Sequence, residues 1–145
     1  MTDPTDHPRP TRDDIREALP AGLAFTAGLV VNLAHRPVPE FDIYIGRTFA
    51  GRVDEGFGNP LRLRDDTPAG RARLIADYWA WLNGPSVRAR RVRGRIRAGE
   101  LTGRVLGCWC AGRGFCHGHI LAALAAGAVE QARAWAAELD IATRP

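Results

Sequence analysis

The sequence predicts an α/β fold: a small, Rossmann-like single domain with a central sheet of few strands flanked by helices. Three observations lead there. The run Gly28-Leu-Val-Val-Asn-Leu33 is apolar enough to be a strand buried on both faces. The stretch Pro68–Leu82 instead repeats Leu74, Ile75, Tyr78, Trp79 and Leu82 at helical spacing, giving one broad apolar face. Between a hydrophobic run and an alanine-rich helical run lies Leu106–Leu121, which reads as a strand-to-helix turn and holds all three cysteines of the 145-residue chain. That length suits one core and not two.

Taken in order, residues 1–22 predict a disordered N-terminus with a short accessory helix. Residues 1–10 have three prolines and almost nothing to bury. Thr11 is then a candidate N-cap, Asp13 and Asp14 suit the first helical turn, and Pro20-Ala-Gly22 stops the helix. The single domain occupies 23–145. Its first strand, near 29–33, is followed by a proline-containing loop, Ala34–Glu40. Phe41–Gly46 is the second strand, with Asp42, Tyr44 and Gly46 sharing one face, polar enough to border a site. Arg47 falls at its end, where α/β proteins commonly bind ligands.

Thr48–Thr67 is long and irregular, and Gly58-Asn59-Pro60 within it has the composition of a backbone nest for anions, or of a plain turn. After the Pro68–Leu82 helix, Asn83-Gly84-Pro85 is a stop, and Ser86 caps a second helix near Val87–Ala98 with Val92 and Ile96 inward. Arg104–Cys110 is the third strand. A helix begins near Cys116, with Ile120, Leu121, Leu124 and Ala125 as its buried stripe. Gly127 interrupts it, and a last helix, Ala128–Leu139, carries Val129, Ala132, Trp135 and Leu139 on one side.

Composition limits the function classes. No window has the run of apolar residues a bilayer crossing needs, and the polar, proline-rich start lacks the pattern of a secretory signal. The cytoplasm is therefore the expected location. Reducing conditions and an odd cysteine count argue against a disulfide framework and for metal or thiol chemistry. The net charge is +4, and all 20 basic residues are arginine. Six of them, from Arg88 to Arg97, form one dense run. A nucleic-acid-facing strip is the less favoured reading of that run, because few aromatics interleave to stack bases; a solvated helix face is the favoured one.

The chemistry concentrates in Cys108, Cys110, Cys116, His117 and His119. Cysteine and histidine at close spacing fit a zinc site, with Cys110, Cys116 and either His117 or His119 able to supply ligands, and Cys108, Cys110, Cys116 and His119 as the candidate set. Two thiolates on one zinc lie about 3.7 Å apart, given a Zn–S bond near 2.3 Å. Alternate residues on a strand are spaced by about 6.6 Å, so Cys108 and Cys110 can share an ion only if the strand has already turned. A thiolate nucleophile is the competing reading. Cys116 at a helix start would have its pKa lowered, with His117 as base and Cys108 and Cys110 as partner thiols. The plain alternative is small buried cysteines packing as hydrophobes.

The segments Val30-Val-Asn-Leu33, Tyr44-Ile-Gly-Arg47, Gly58-Asn-Pro60, Tyr78-Trp-Ala-Trp-Leu82, Leu106-Gly-Cys-Trp-Cys110 and Cys116-His-Gly118 come in an order that resembles a family of short bacterial and phage proteins grouped as a domain of unknown function. The likeness spans most of residues 28–126. This chain departs from the pattern in having His119 where an acidic residue follows Cys-His-Gly, and in a glycine-rich segment between Cys110 and Cys116. The resemblance implies that Asn32, Arg47, Asn59 and the cysteine cluster belong to one site; it implies no reaction. The expectation is an intracellular enzyme acting on an anionic small molecule, nucleotide- or nucleoside-like. Asn32, Arg47, Gly58 and Asn59 are its candidate binding residues. The alternative is a non-enzymatic, zinc-stabilised module for nucleic acid or a protein partner.

Overall fold

The computed structural model describes residues 18–110 and 115–144. The expectations for the N-terminal segment up to residue 17 and for the turn at 111–114 lie outside these residues. The described residues form a mixed α/β structure with a three-stranded, open, parallel sheet and five helices. Ala21–Gly28 is a 3-10 helix. β1 (Val30–Asn32) and β2 (Ile43–Tyr44) follow, then α1 (Pro68–Leu82), α2 (Val87–Arg97), β3 (Leu106–Cys108), α3 (His117–Ala125) and α4 (Val129–Thr143).

The strand order is β1-β3-β2, which puts β3 in the centre. Val30 pairs with Leu106, Asn32 with Cys108, and Tyr44 with Gly107. All three strands therefore end at the same edge, and Asn32 and Cys108 are neighbours there. The strands are shorter than their apolar runs predict. The expected strand 104–110 stops at Cys108, and the chain bends at Trp109 and Cys110. Asp42 and Ile45 still donate their N–H groups to Val105 and Gly107, so the ladder's hydrogen bonding outlasts its regular geometry.

The helices start where short polar side chains satisfy their first N–H groups. Thr67 accepts from Gly70 N at 3.0 Å, and Pro68 occupies the first turn, where no donor is needed. Ser86 accepts from Ala89 N at 3.1 Å to begin α2. On α1 the buried face is Ala72, Ile75, Tyr78 and Leu82, with Trp79 half-buried and Trp81 stacked over Tyr78. α1 lies along α4, whose Ala132, Trp135 and Leu139 are buried. Val129 was expected on that buried side; in the first turn of α4 it is instead 39% exposed. α4 also runs four residues past the expected end at Leu139, to Thr143. The 3-10 helix has no sequence periodicity to announce it, yet its Leu23 and Thr26 are fully buried.

The close approach of α3 to the sheet has one specific cause. A Cβ on Gly118 would lie 2.8 Å from both Ile45 Cδ1 and Val30 Cγ1. Only glycine lets the first turn of α3 sit directly on β1 and the end of β2. That contact sets where Cys116 and His117 come to rest. No helix among the described residues is long and apolar enough to cross a membrane.

Candidate metal centre and cleft

Three cysteines and one histidine meet at the C-terminal edge of the sheet. The ligand atoms of Cys108, Cys110, Cys116 and His117 all lie within 4.8 Å of one another. Cys108 Sγ is 3.0 Å from Cys110 Sγ, and Cys110 Sγ is 2.8 Å from Cys116 Sγ. The bend after Cys108 makes this possible: it removes the strand spacing that would hold the first two sulfurs apart. Cys116 is the N-cap of α3, and its sulfur accepts from Gly118 N at 3.3 Å. His117 follows in the first turn, with Nδ1 3.9 Å from Cys116 Sγ. These separations are shorter than the edge of about 3.7 Å between two thiolates on one tetrahedral ion, so the three sulfurs are close enough to share a single ion after a small outward shift.

His117 is oriented as a metal-binding imidazole would be. Its Nε2 is 2.9 Å from Ile45 O and 3.1 Å from Phe57 O. Carbonyls only accept, so Nε2 carries a proton, and Nδ1 is the nitrogen turned toward the sulfurs, the one an ion would take in place of a proton. A backbone carbonyl holding the far nitrogen is the usual support of a ligating histidine. The ring also lies edge-on to Tyr78, with centroids 5.2 Å apart.

His119 does not join the centre, which corrects the candidate ligand set. Two residues along a helix turn the side chain by about 200°, so His119 leaves on the opposite side. There its Nδ1 meets Thr26 Oγ1 at 2.9 Å, and its ring packs edge-on against Trp135. The Thr26 hydroxyl gives its one proton to Leu23 O at 2.7 Å, so His119 Nδ1–H is the donor in that pair. His119 fastens α3 to the 3-10 helix.

The electrostatics also reverse one expectation. Burial pushes the Cys116 thiol well above its ordinary range, and the neighbouring sulfurs push it further, so the helix N-terminus does not make it the acidic thiol. Cys108 is the sulfur whose pKa falls, because Cys110 and then Cys116 hydrogen-bond to its thiolate. Burial works against a charged His117, yet the sulfurs of Cys108 and Cys110 hold its pKa well above the usual value. The neighbouring Cys108 raises the pKa of Cys110, so the cluster favours one anionic sulfur, Cys108, beside a positive His117.

Arg47, Gly58 and Asn59 form one supporting unit. Arg47 Nε donates to Asn59 O at 2.5 Å and Nη2 to Leu61 O, so the guanidinium ties the loop to the end of β2. Asn59 Oδ1 accepts from Leu61 N at 2.9 Å, closing a turn around Pro60. The expected anion nest is already engaged within the chain: Gly56 N and Gly58 N donate to Asp54 Oδ1 at 2.8 and 3.1 Å. Arg88 clasps the same carboxylate at 3.0 Å and Gly58 O at 2.9 Å. Asp54 is held below the ordinary carboxylate range: burial opposes this, but those two amides and Arg88 outweigh it. The Asn32 side chain caps Ala34 N at 3.0 Å, beside Cys108 in the sheet register.

A cleft of about 710 Å³ opens over this edge of the sheet. Its lining brings together Arg47, Asn59, Cys108, Cys110 and His117, whereas Asn32, Gly58 and Cys116 are not part of it. Sequence reasoning gave no role in the site to Trp109, Phe49, Arg62 or Arg71, which also line it. Trp109 is locked in place: its Nε1 donates to Tyr44 Oη at 2.9 Å, and Tyr44 Oη donates to Arg47 O. That hydroxyl reaches back across Gly46, where a Cβ would collide with it. The polar face read into β2 is therefore a buried tyrosine whose hydroxyl aims the cleft wall. Phe49 stands on a two-residue hairpin turn, with Phe49 and Arg52 exchanging backbone hydrogen bonds of 2.9 and 3.0 Å. Ala50 and Gly51 have positive φ (50° and 82°), as the tight turn demands. Ala50 lacks the usual Asn, Asp or Gly signal, so the turn was not visible beforehand.

No curated protein and no solved structure matches the chain. A family model does match, over residues 31–127, a span that runs from β1 through the whole of α3 and includes all four residues that could hold a metal. The chain thus belongs to the family described as a domain of unknown function, DUF4326.

Proposed function

We propose that this chain is an intracellular zinc-dependent enzyme of small anionic molecules, with the ion held by Cys108, Cys110, Cys116 and His117. The carrying observation is that these four ligand atoms converge within 4.8 Å at the wall of a ligand-sized cleft. A three-thiolate, one-imidazole set suits zinc by softness and by geometry. Zinc there would supply Lewis acidity to whatever oxygen reaches it. The anionic character of the ligand is supported by the cleft's described lining, which has three arginines and no carboxylate. A cleft at the C-terminal ends of parallel strands is where a Rossmann-like sheet, as a single domain, would place its site. Free thiols in such a centre fit the reducing cytoplasm.

The test has two stages. Untagged protein should carry about one zinc per chain by elemental analysis, and Cys108→Ser should lower that content sharply. Cobalt should then replace zinc, and its visible bands should shift when an anionic ligand is added. Absence of metal from the purified protein sinks the proposal at the first stage.

A second reading has an observation of its own. Three sulfurs and an imidazole already complete a tetrahedron, the usual composition of a structural site. In that case cobalt bands stay unchanged by every cleft ligand, while chelation still unfolds the protein. The nucleic-acid version of this reading has less support, since Arg88, Arg93 and Arg95 are engaged with Asp54, with the Leu82 and Gly84 carbonyls, and with Glu55 and Glu100.

A further inference from the structure

The lining of the cleft is specific enough to name a ligand class. Phe49 and Trp109 stand edge to face, with ring centroids 5.5 Å apart and planes at 83°. Together they make an aromatic corner on the cleft. Trp109 is fixed by its bond to Tyr44, but Phe49 is 61% exposed. A large apolar ring is thus held at the mouth by a turn that strains Ala50 into the left-handed region. Non-glycine residues in sparsely populated backbone regions cluster at active sites and ligand clamps.

Phe115, which is buried, also contributes to the lining. The charges lie in the lining as well. Arg71 is paired with Asp66, and Arg47 is spent on two loop carbonyls, but Arg62 has no ion-pair partner among the described residues.

We infer that the cleft binds a nucleoside monophosphate, its flat base laid in the Phe49–Trp109 corner and its phosphate facing Arg62. This rests on the small-anion reading above and narrows it to a planar heteroaromatic ring joined to a phosphate. The cleft volume lies within the usual range for a ligand of that size. Stacking on an aromatic side chain contributes enough to be read in an affinity, and every base has a face to offer. Arginine is the side chain suited to holding the phosphate by a two-pronged contact.

The test is calorimetric titration of the zinc-loaded full chain with the common nucleoside monophosphates, ribose phosphate, the free nucleosides and benzoate. At least one nucleoside monophosphate should bind, and its nucleoside and ribose phosphate should each bind at least about tenfold more weakly. Phe49→Ala should weaken the nucleotide by about tenfold or more and leave ribose phosphate unchanged. Arg62→Gln should weaken the nucleotide and leave the nucleoside unchanged. Both side chains are exposed, so neither variant threatens the fold.

Absence of nucleotide binding overturns the inference. So does nucleotide binding indifferent to Phe49→Ala, or a preference for benzoate. Zinc content measured on the same samples separates the two readings. Zinc without nucleotide binding removes this inference alone, and nucleotide binding without zinc removes the metal centre alone.

Discussion

The loop from Arg47 to Leu61 and the turn from Cys108 to His117 both have the residue types of a functional site, and the structure uses them in opposite ways. In the loop, polar groups are satisfied from within. Arg47 serves carbonyls, the glycine amides serve Asp54, and the Asn59 side chain serves its own turn. In the turn, three sulfurs and an imidazole nitrogen are gathered chiefly against one another. Like-polarity atoms crowded in a buried place need something else to neutralise them, whereas a loop whose glycine amides, guanidinium and carboxylate already serve one another does not. The first region builds the wall of the cleft, and the second supplies the atoms with chemistry to offer.

Four experiments would break or sharpen this contrast, beginning with the largest effect. Chelation of the metal, or Cys116→Ala, should collapse the turn; the stability lost should be on the order of 5 kcal/mol or more, since metal binding to such a set is folding free energy. A thermal melt with and without chelator reads it. An unchanged melt would mean that the turn, like the loop, is self-sufficient.

Gly118→Ala comes next. The added methyl meets Ile45 and Val30 at 2.8 Å, so overpacking should cost about 2–3 kcal/mol and lower zinc content by shifting Cys116 and His117. Denaturant unfolding with metal analysis would show whether the two losses travel together.

Arg47→Lys keeps the charge but loses the fork that reaches two carbonyls, and should cost about 1–2 kcal/mol with zinc content intact. Loss of zinc in that variant would merge the two regions into one.

The smallest effect is a pH dependence. Asp54 has a depressed pKa, so its contribution is present above the ordinary carboxylate range and is lost as pH falls through the folded value. Asp54→Asn should flatten that acid limb and cost about 1 kcal/mol at neutral pH through the weakened bond to Arg88. The acid limb is best followed by urea unfolding across the range. An acid limb identical in both proteins would assign it to other groups.

The sequence motifs were legible along the chain in different degrees. The cysteine motif announced a site because no ordinary packing need explains three thiols and an imidazole at that spacing. Tyr44-Ile-Gly-Arg47 also marked something real, but its role was hidden. A hydroxyl folding over Gly46 onto the Arg47 carbonyl leaves no periodicity and no charge pattern to read. The choice between His117 and His119 was equally hidden until the start of α3 was placed, because two residues along the helix put the rings on nearly opposite sides and only one of them can face the sulfurs.

Local chemistry in the sequence was sufficient for the cap at Ser86, for most of the buried faces of α1 and α4, and for the strand-to-helix turn that carries the cysteines. Those features depend on near neighbours along the chain, whose spacing is written in it. Only the tertiary structure decided that β3 lies between β1 and β2, that Gly118 brings α3 onto the sheet, and that Asp54 fills the nest prepared by Gly56 and Gly58. Phe49, Trp109 and Arg62 likewise became one wall only there. Each of these depends on segments tens of residues apart closing to van der Waals distance, and the energy that selects them belongs to the packed core and not to any one stretch of sequence.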